Sequence, residues 1–188
     1  MSLPERDGAA PEKVVVFCVG STLMMDDGVG PAVFEELTAA YDLPPEVELL
    51  DVGCMSLNMV ERVDEADYII TVDAVDGTEE PPGTVFEFAP EDMARHSGAM
   101  ASLHDLKLVD LFDAAALLGY EAEGKCFGMQ VLNRSPEVVT VGLSQPVFDA
   151  LPDLVDAVLA DLVLRGHDIR IKESGKSVMK GWHHRLCS

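Results

Sequence analysis

Two neighbouring aspartates lie in a glycine-rich loop near the start of the chain, where their carboxylates are suited to bind a cation. The loop, residues 20–30, reads GSTLMMDDGVG, with Asp26 and Asp27 near its centre. It contains neither GxGxxG nor the lysine of a P-loop, and adjacent carboxylates repel phosphate. A cation site is therefore the better functional hypothesis. A structural alternative stays open, because aspartate also caps helices, and a helix is predicted to begin near Pro31.

A third acid and a histidine complete a possible ligand set. Asp73 follows the apolar run 68–72, where a carboxylate is costly unless it is paired, hydrated or bound to a metal. His104 precedes a predicted amphipathic helix, whose dipole keeps the imidazole neutral and able to coordinate a metal. Two oxygens and one nitrogen suit a borderline divalent metal such as nickel or zinc. Asp27, Asp73 and His104 would together supply this set, although composition alone does not select them over the other acids. A lone histidine near a helix start is more often structural or solvated than a ligand.

Alternating strand and helix patterns predict the elements that position these residues. Predicted strands cover residues 14–19, 47–52, 68–72, 84–88, 125–132 and 138–141, and predicted helices cover 31–41, 56–63, 104–119 and 147–165. The alternation predicts a three-layer α/β/α fold with a twisted, mainly parallel sheet of about five strands. Sites in such sheets lie beyond the carboxyl ends of the strands, which is where the first loop and Asp73 are expected.

Length and charge limit the classes of protein that the chain can belong to. Its 188 residues predict a flexible N-terminus over 1–12, one domain over 13–171 and a basic tail over 172–188. The formal net charge of −21 argues against nucleic acid or anionic membranes as partners. No apolar run approaches the about 20 residues of a membrane helix. The start also lacks a signal-peptide pattern, so a cytoplasmic location is expected.

The cysteines and the tail carry weaker signals. The four cysteines form no CxxC pair, and Cys18 and Cys126 lie in apolar runs typical of core strands. In the tail, His183, His184 and Cys187 are compatible with an accessory metal site, but solvated side chains are the simpler interpretation. Trp182 makes the tail a candidate docking element, because tryptophan is enriched at interface hot spots.

Four sequence blocks, in this order, resemble the hydrogenase maturation protease family. The blocks are the loop 20–30, Asp51-Val52-Gly53, Val72-Asp73-Ala74 with the later Pro82-Gly83-Thr84, and the segment from His104 to Leu111. The similarity covers about residues 13–165. Ser21 stands where the family usually has asparagine, Cys18 where glycine is common, and Cys54 where threonine is frequent. Gln130 lies in a segment that resembles a further family segment near the cleft.

The resemblance implies a function and a site. The family comprises endopeptidases that remove a C-terminal extension from the large-subunit precursor of nickel–iron hydrogenases, and its fold is a sheet between helices. Its metal-binding positions fall on Asp27, Asp73 and His104, which are accordingly the expected metal-binding and catalytic residues. The resemblance implies that nickel arrives with the substrate, that no organic cofactor is needed and that the partner is the precursor. A monomer is expected.

Two other functions compete with the protease hypothesis. A nickel-binding chaperone for the large subunit would use the same ligands without cutting. A receiver-like signalling domain also uses an acid pair and a later aspartate, but here the pair comes seven residues after Val19 and no lysine ends the run 138–143. The chain lacks HExxH, GxSxG and a recognisable Cys/His nucleophile signature. Standard zincin and serine-hydrolase mechanisms therefore have no support.

Overall fold

The computed structural model describes residues 11–53, 60–88 and 123–178. The strands in these segments are β1 Val14–Val19, β2 Tyr41–Asp42, β3 Val47–Gly53, β4 Tyr68–Val75, β5 Val85–Phe88, β6 Glu123–Gln130 and β7 Arg170–Ile171. The helices are α1 Val29–Ala40, α2 Val60–Asp64 and α3 Gln145–Leu164, and a 3-10 turn covers Met25–Gly28.

Five of these strands form one sheet in the order β3-β1-β4-β6-β5. The pairs β3–β1, β1–β4 and β4–β6 are parallel, and β5 joins β6 antiparallel at one edge. All six residues of β1 are buried, as its unbroken apolar sequence predicts for a central strand covered on both faces. The predicted α/β fold with a mainly parallel sheet of about five strands is confirmed.

The main core lies between the sheet and two helices. Val33 and Leu37 of α1 and Leu154 and Val158 of α3 are fully buried in one cluster with Val16 of β1. These helical residues recur at intervals of four, so each helix presents one apolar stripe to the sheet. The other face is covered as well, because the alternate strand residues Val15, Phe17 and Ile69 are also buried.

The predicted strand 138–141 is wrong. Only Thr140 pairs, in an isolated bridge with Met24, and the side chains of Val138, Val139 and Val141 are 65–74% exposed. A β-branched run favours extended backbone, but a strand also needs a sheet edge and a face to bury. Here the run joins neither outer strand of the sheet, β3 or β5, and meets only the loop after β1 through that bridge.

Other element predictions differ in their bounds or cannot be compared. Strand β4 continues to Val75, so that Asp73 lies inside the strand near its carboxyl end. Of the predicted helix 56–63, the described part begins at residue 60 and the helix ends at Asp64. The predicted helix 104–119 lies outside the described residues.

The chain beyond α3 packs back onto the domain. Strand β7 pairs antiparallel with β2, and the Lys172 amide donates to the carbonyl of Ala40. Val178 is 5% exposed and its amide donates to the carbonyl of Ile169. Residues 172–178, the start of the predicted tail, are therefore attached to the folded body. Trp182, His183, His184 and Cys187 lie outside the described residues.

No helix in the described segments is both long and apolar enough to cross a membrane.

Candidate functional site

Close backbone packing explains two glycines of the loop after β1. Gly20 has φ +131°, and a Cβ there would lie 1.8 Å from the carbonyl oxygen of Asp27. A Cβ on Gly30 would lie 2.1 Å from the carbonyl oxygen of Val19. Any side chain at either position would therefore force the loop away from β1 or α1 away from the strand. The glycines bring the two aspartates directly against the carboxyl end of β1.

Asp26 is a buried structural residue. Its side chain is 0% exposed, and its Oδ2 accepts hydrogen bonds from the amides of Leu132 and Asn133 at 3.1 and 3.0 Å. Ser144 donates its amide to Oδ1 at 2.6 Å and its hydroxyl to Oδ2 at 2.9 Å. These four bonds fasten both ends of the loop 131–144, which joins β6 to α3, to the loop after β1.

The surroundings of the acid pair argue against two alternatives raised by the sequence, helix capping and a receiver-like magnesium site. Neither Asp26 nor Asp27 caps α1, because its N-cap residue is Gly28 and no side chain bonds there. A receiver-like magnesium site needs free oxygens on both acids of the pair. Three of the four bonds of Asp26 end on Oδ2 and one ends on Oδ1, and the side chain is 0% exposed, so neither oxygen is presented to a metal from solvent.

Asp27 faces the edge of the sheet and is held by two donors. Its Oδ2 accepts the amide of Ser21 at 2.9 Å, and its Oδ1 accepts Nε of Arg134 at 2.7 Å. The side chain is 14% exposed. Because Ser21 supplies a backbone donor, this contact does not depend on whether serine or asparagine stands at position 21.

Asp73 lies at the same edge of the sheet as Asp27. It pairs in register with Gly128 of β6 and follows Val72, which pairs with Cys18 of β1. Its side chain is partly exposed, and Oδ1 accepts the amide of Ala74 at 2.7 Å. The 3-10 turn that carries Asp27 packs against β4. Two of the three predicted ligands therefore lie at one end of neighbouring strands, as the topology rule predicts.

The third predicted ligand, His104, lies outside the described residues. Within the segments that the structure describes, no three His, Cys, Asp or Glu side chains form a group that could hold a metal. Asp27 and Asp73 provide two carboxylates, which need at least one further ligand for a transition metal. The role of all three residues as ligands stays a prediction.

Gln130 connects two loops beside the site. It is 6% exposed, and its Oε1 accepts the amide of Thr78 at 3.0 Å as well as the Thr78 hydroxyl. Its Nε2 donates to the carbonyl of Val131 at 2.8 Å. Gln130 therefore fixes the loop that follows β4, a few residues after Asp73, and its role in the described structure is positional.

Two contacts from the loop 131–144 are not predicted by any sequence motif. Arg134 pairs with Asp27, and Ser144 satisfies Asp26, although both lie more than 100 residues away along the chain. The available signal was topological, because a loop that leaves the carboxyl end of a parallel strand lies at the edge where sites form. Arg134 is a basic residue in such a loop of an acidic chain.

The cysteine beneath the site is inert. Cys18 is 0% exposed, and burial together with the nearby Asp51 carboxylate raises the pKa of its thiol from 9.0 to about 12. It stays protonated at neutral pH and is therefore no nucleophile. Cys126 is buried too, so both cysteines are core residues as predicted.

Exposed apolar side chains border the site. The amide of Met25 donates to the Thr140 carbonyl at 2.7 Å and the amide of Thr140 donates to the Leu23 carbonyl at 3.0 Å, which joins the two loops side by side. Five large apolar residues on these loops are 54–74% exposed, and we call them the apolar rim: Leu23, Leu132, Val138, Val139 and Val141. Clustered exposure of this kind is typical of a surface that binds a protein.

Known proteins are similar to this chain in sequence and in fold. The family model for hydrogenase maturation protease matches residues 31–161. HupD, a hydrogenase expression/formation protein of Rhizobium leguminosarum bv. viciae, is 29% identical over 95% of this chain and 88% of its own length. HupD of Rhodobacter capsulatus is 35% identical, but the match covers 58% of this chain and 52% of that relative.

A solved structure agrees with the family model and with the two relatives. The hydrogenase maturating endopeptidase HybD from E. coli superposes with a TM-score of 0.74 at 26% identity, covering 86% of this chain and 98% of HybD. Family model, relative and fold agree, and the family model alone covers more than half of the sequence. This chain therefore belongs to the hydrogenase maturation protease family.

Proposed function

We propose that this protein is an endopeptidase that removes the C-terminal extension from the large-subunit precursor of a nickel–iron hydrogenase. It would recognise the nickel already present in that precursor through Asp27, Asp73 and His104. The observation that carries the proposal is the placement of Asp27 and Asp73 at one end of the strands β1 and β4, in a chain of this family.

The surroundings of the two aspartates support this role. Asp27 keeps 14% of its side chain exposed, so a ligand can reach it, while its orientation is set by the Ser21 amide. Asp73 is partly exposed beside it. Two carboxylates at one end of the sheet favour binding of a positively charged centre. When bound, nickel supplies Lewis-acid chemistry that can polarise a peptide carbonyl or a water molecule.

The apolar rim supports a protein substrate. A peptidase that acts on one folded precursor needs contacts outside the scissile bond, because remote contacts position the reacting group. The rim offers such contacts on the loops that lie beside Asp27. The buried bonds of Asp26 hold these loops in a fixed arrangement, so the binding surface is formed before the precursor arrives.

A cleavage assay with matched variants tests the proposal. Nickel-loaded precursor is incubated with the wild type, Asp27→Asn, Asp73→Asn or His104→Ala, and the large subunit is followed by mass spectrometry. We expect the wild type to shorten the precursor and each variant to lose at least about 100-fold in rate, the scale for removing one group that acts on the transition state.

The control is Asp76→Asn. Asp76 is an exposed acid three residues after Asp73, and its Oδ1 accepts the amide of Gly77 at 2.7 Å. The side-chain oxygen of asparagine can accept the same hydrogen bond. This variant should cleave at the wild-type rate. Full cleavage by all three site variants would refute the ligand assignment. Stable binding of the precursor by the wild type with no change in mass would instead identify a chaperone.

A further inference from the structure

The Asp27 carboxylate is already paired with a cation of the protein itself. Nε of Arg134 donates to Oδ1 of Asp27 at 2.7 Å, and the two side chains are only 16% and 14% exposed. A charge-assisted hydrogen bond at this distance is short and strong, and limited contact with water reduces its screening. An incoming metal ion therefore meets a carboxylate whose charge is largely neutralised.

The position of Arg134 is built into the fold. The preceding residues, Leu132 and Asn133, donate their amides to the fully buried Asp26 carboxylate at 3.1 and 3.0 Å. The adjacent acids thus divide two tasks. Asp26 holds the backbone of the loop, and Asp27 receives the guanidinium that this backbone presents.

Arg134 is not needed to orient Asp27. The other oxygen, Oδ2, accepts the amide of Ser21 at 2.9 Å, and Gly20 packs against the Asp27 backbone. Removing the guanidinium would leave this second bond and the backbone in place. For Asp27, the main loss would be one positive charge about 3 Å from its carboxylate. That guanidinium charge repels any divalent ion that approaches Oδ1.

We propose that Arg134 is a specificity-determining residue that disfavours free divalent cations at Asp27. The inference rests on the proposed function, in which Asp27 binds the nickel of the precursor. Nickel held in a precursor comes with protein contacts at the apolar rim, and these can offset the cost of displacing or sharing the guanidinium. A free ion has no such contacts and binds weakly.

Calorimetric titration of the untagged full chain with nickel chloride tests this inference. At about 0.15 M salt, where long-range attraction to the acidic surface is screened, Arg134→Gln should bind nickel about tenfold more tightly than the wild type, a change of about 1.4 kcal/mol. Arg134→Lys keeps the charge and should stay close to the wild type. Thermal melting verifies that each variant is folded, and Arg134→Ala serves as the second neutral variant.

Two controls separate the site from the rest of the acidic chain. Arg170→Gln removes an exposed arginine whose partner is Asp168, and it should not change nickel affinity. Adding Asp27→Asn to Arg134→Gln should abolish the gain, which excludes binding at the histidines of the tail. The inference is overturned if neutral variants at position 134 bind nickel no more tightly than the wild type, if Arg170→Gln gives an equal gain, or if the gain survives Asp27→Asn.

The cleavage assay keeps this result distinct from the proposed function. If Arg134→Gln gains nickel affinity through Asp27 but the wild type fails to cut loaded precursor, the inference stands and the protease proposal fails. If the wild type cuts the precursor but the neutral variants gain no affinity, the reverse holds.

Discussion

At the scale of single residues, two adjacent and chemically identical side chains have separate tasks. Asp26 has no exposed surface and accepts four hydrogen bonds, whereas the side chain of Asp27 is 14% exposed and accepts two. Burial of a charged carboxylate is tolerated only when its lone pairs are satisfied. The loop 131–144 satisfies them, so Asp26 determines where that loop lies relative to Asp27.

A substitution at Asp26 should lower stability. Asp26→Ala leaves the amides of Leu132, Asn133 and Ser144 without their acceptor, and we expect the free energy of unfolding to fall by about 3 kcal/mol. Urea denaturation followed by circular dichroism measures this change. Asp64→Ala, on the exposed surface of α2, should stay within about 0.5 kcal/mol of the wild type. Equal losses in both variants would contradict the structural role of Asp26.

At the scale of elements, a network of ion pairs joins α3 to the sheet on the side of Arg165. Asp161 of α3 accepts Nζ of Lys125 from β6 at 2.6 Å and Nε of Arg165 at 3.3 Å, and its side chain is 7% exposed. Lys125 also pairs with Glu87 of β5 at 2.8 Å. Burial alone would lower the pKa of Lys125, but hydrogen bonds to Asp161 and Glu87 outweigh it and raise the pKa.

This network predicts a pH-dependent loss of stability. Because the folded pKa of Lys125 is raised, its contribution is complete below the unfolded value of about 10.4 and is lost as the pH rises through the folded value. Asp161→Asn should cost about 2 kcal/mol at pH 7, since it removes one partner of a partly buried pair. The difference from the wild type should shrink in urea titrations above about pH 10.4.

The matched control is Asp153→Asn, an exposed acid on the same helix, for which we expect a change below about 1 kcal/mol. A cost at Asp161 no larger than at Asp153, or one that stays constant up to the highest pH tested, would contradict the assigned role of Lys125.

At the scale of the whole molecule, the acidic body and the exposed apolar rim serve different ends. The net charge of −21 comes from 34 acidic and 13 basic residues, and only two of the acids, Asp27 and Asp73, belong to the proposed site. The rim lies on loops beside Asp27, whereas the net charge does not indicate where on the molecule a substrate binds. Contacts of the rim with a precursor are expected to be apolar and local.

Substitutions in the rim should weaken the binding of precursor without slowing chemistry. Val138→Ser combined with Val139→Ser removes two exposed methyl-bearing side chains, and we expect KM for the loaded precursor to rise about tenfold while kcat is little changed. The control is Leu164→Ser. Leu164 is 62% exposed and lies at the far end of α3, about 30 Å along the helix from Ser144. A similar rise in KM for that control would contradict a local binding surface.

The sequence by itself determined the central strands, the main helices and the edge at which the candidate site lies. Continuous apolar runs predict β1 and β4, because strands buried on both faces tolerate no polar alternation, and the stripes of α1 and α3 follow from the helical period. The position of Asp27 and Asp73 then follows from topology, since parallel strands end at one edge. The proline and glycines around the first loop are also local signals, because their effects do not depend on distant contacts.

Only the tertiary structure decided which acid is buried and what each one contacts. Asp26 and Asp27 have the same chemistry and neighbouring positions, and their environments differ because residues 132–144 fold against one and present Arg134 to the other. The run 138–141 has the composition of a strand, yet no free sheet edge meets it, so its valines face solvent. Local patterns describe what a segment can form, whereas pairing over more than 100 residues depends on which partners the completed fold brings within hydrogen-bond distance.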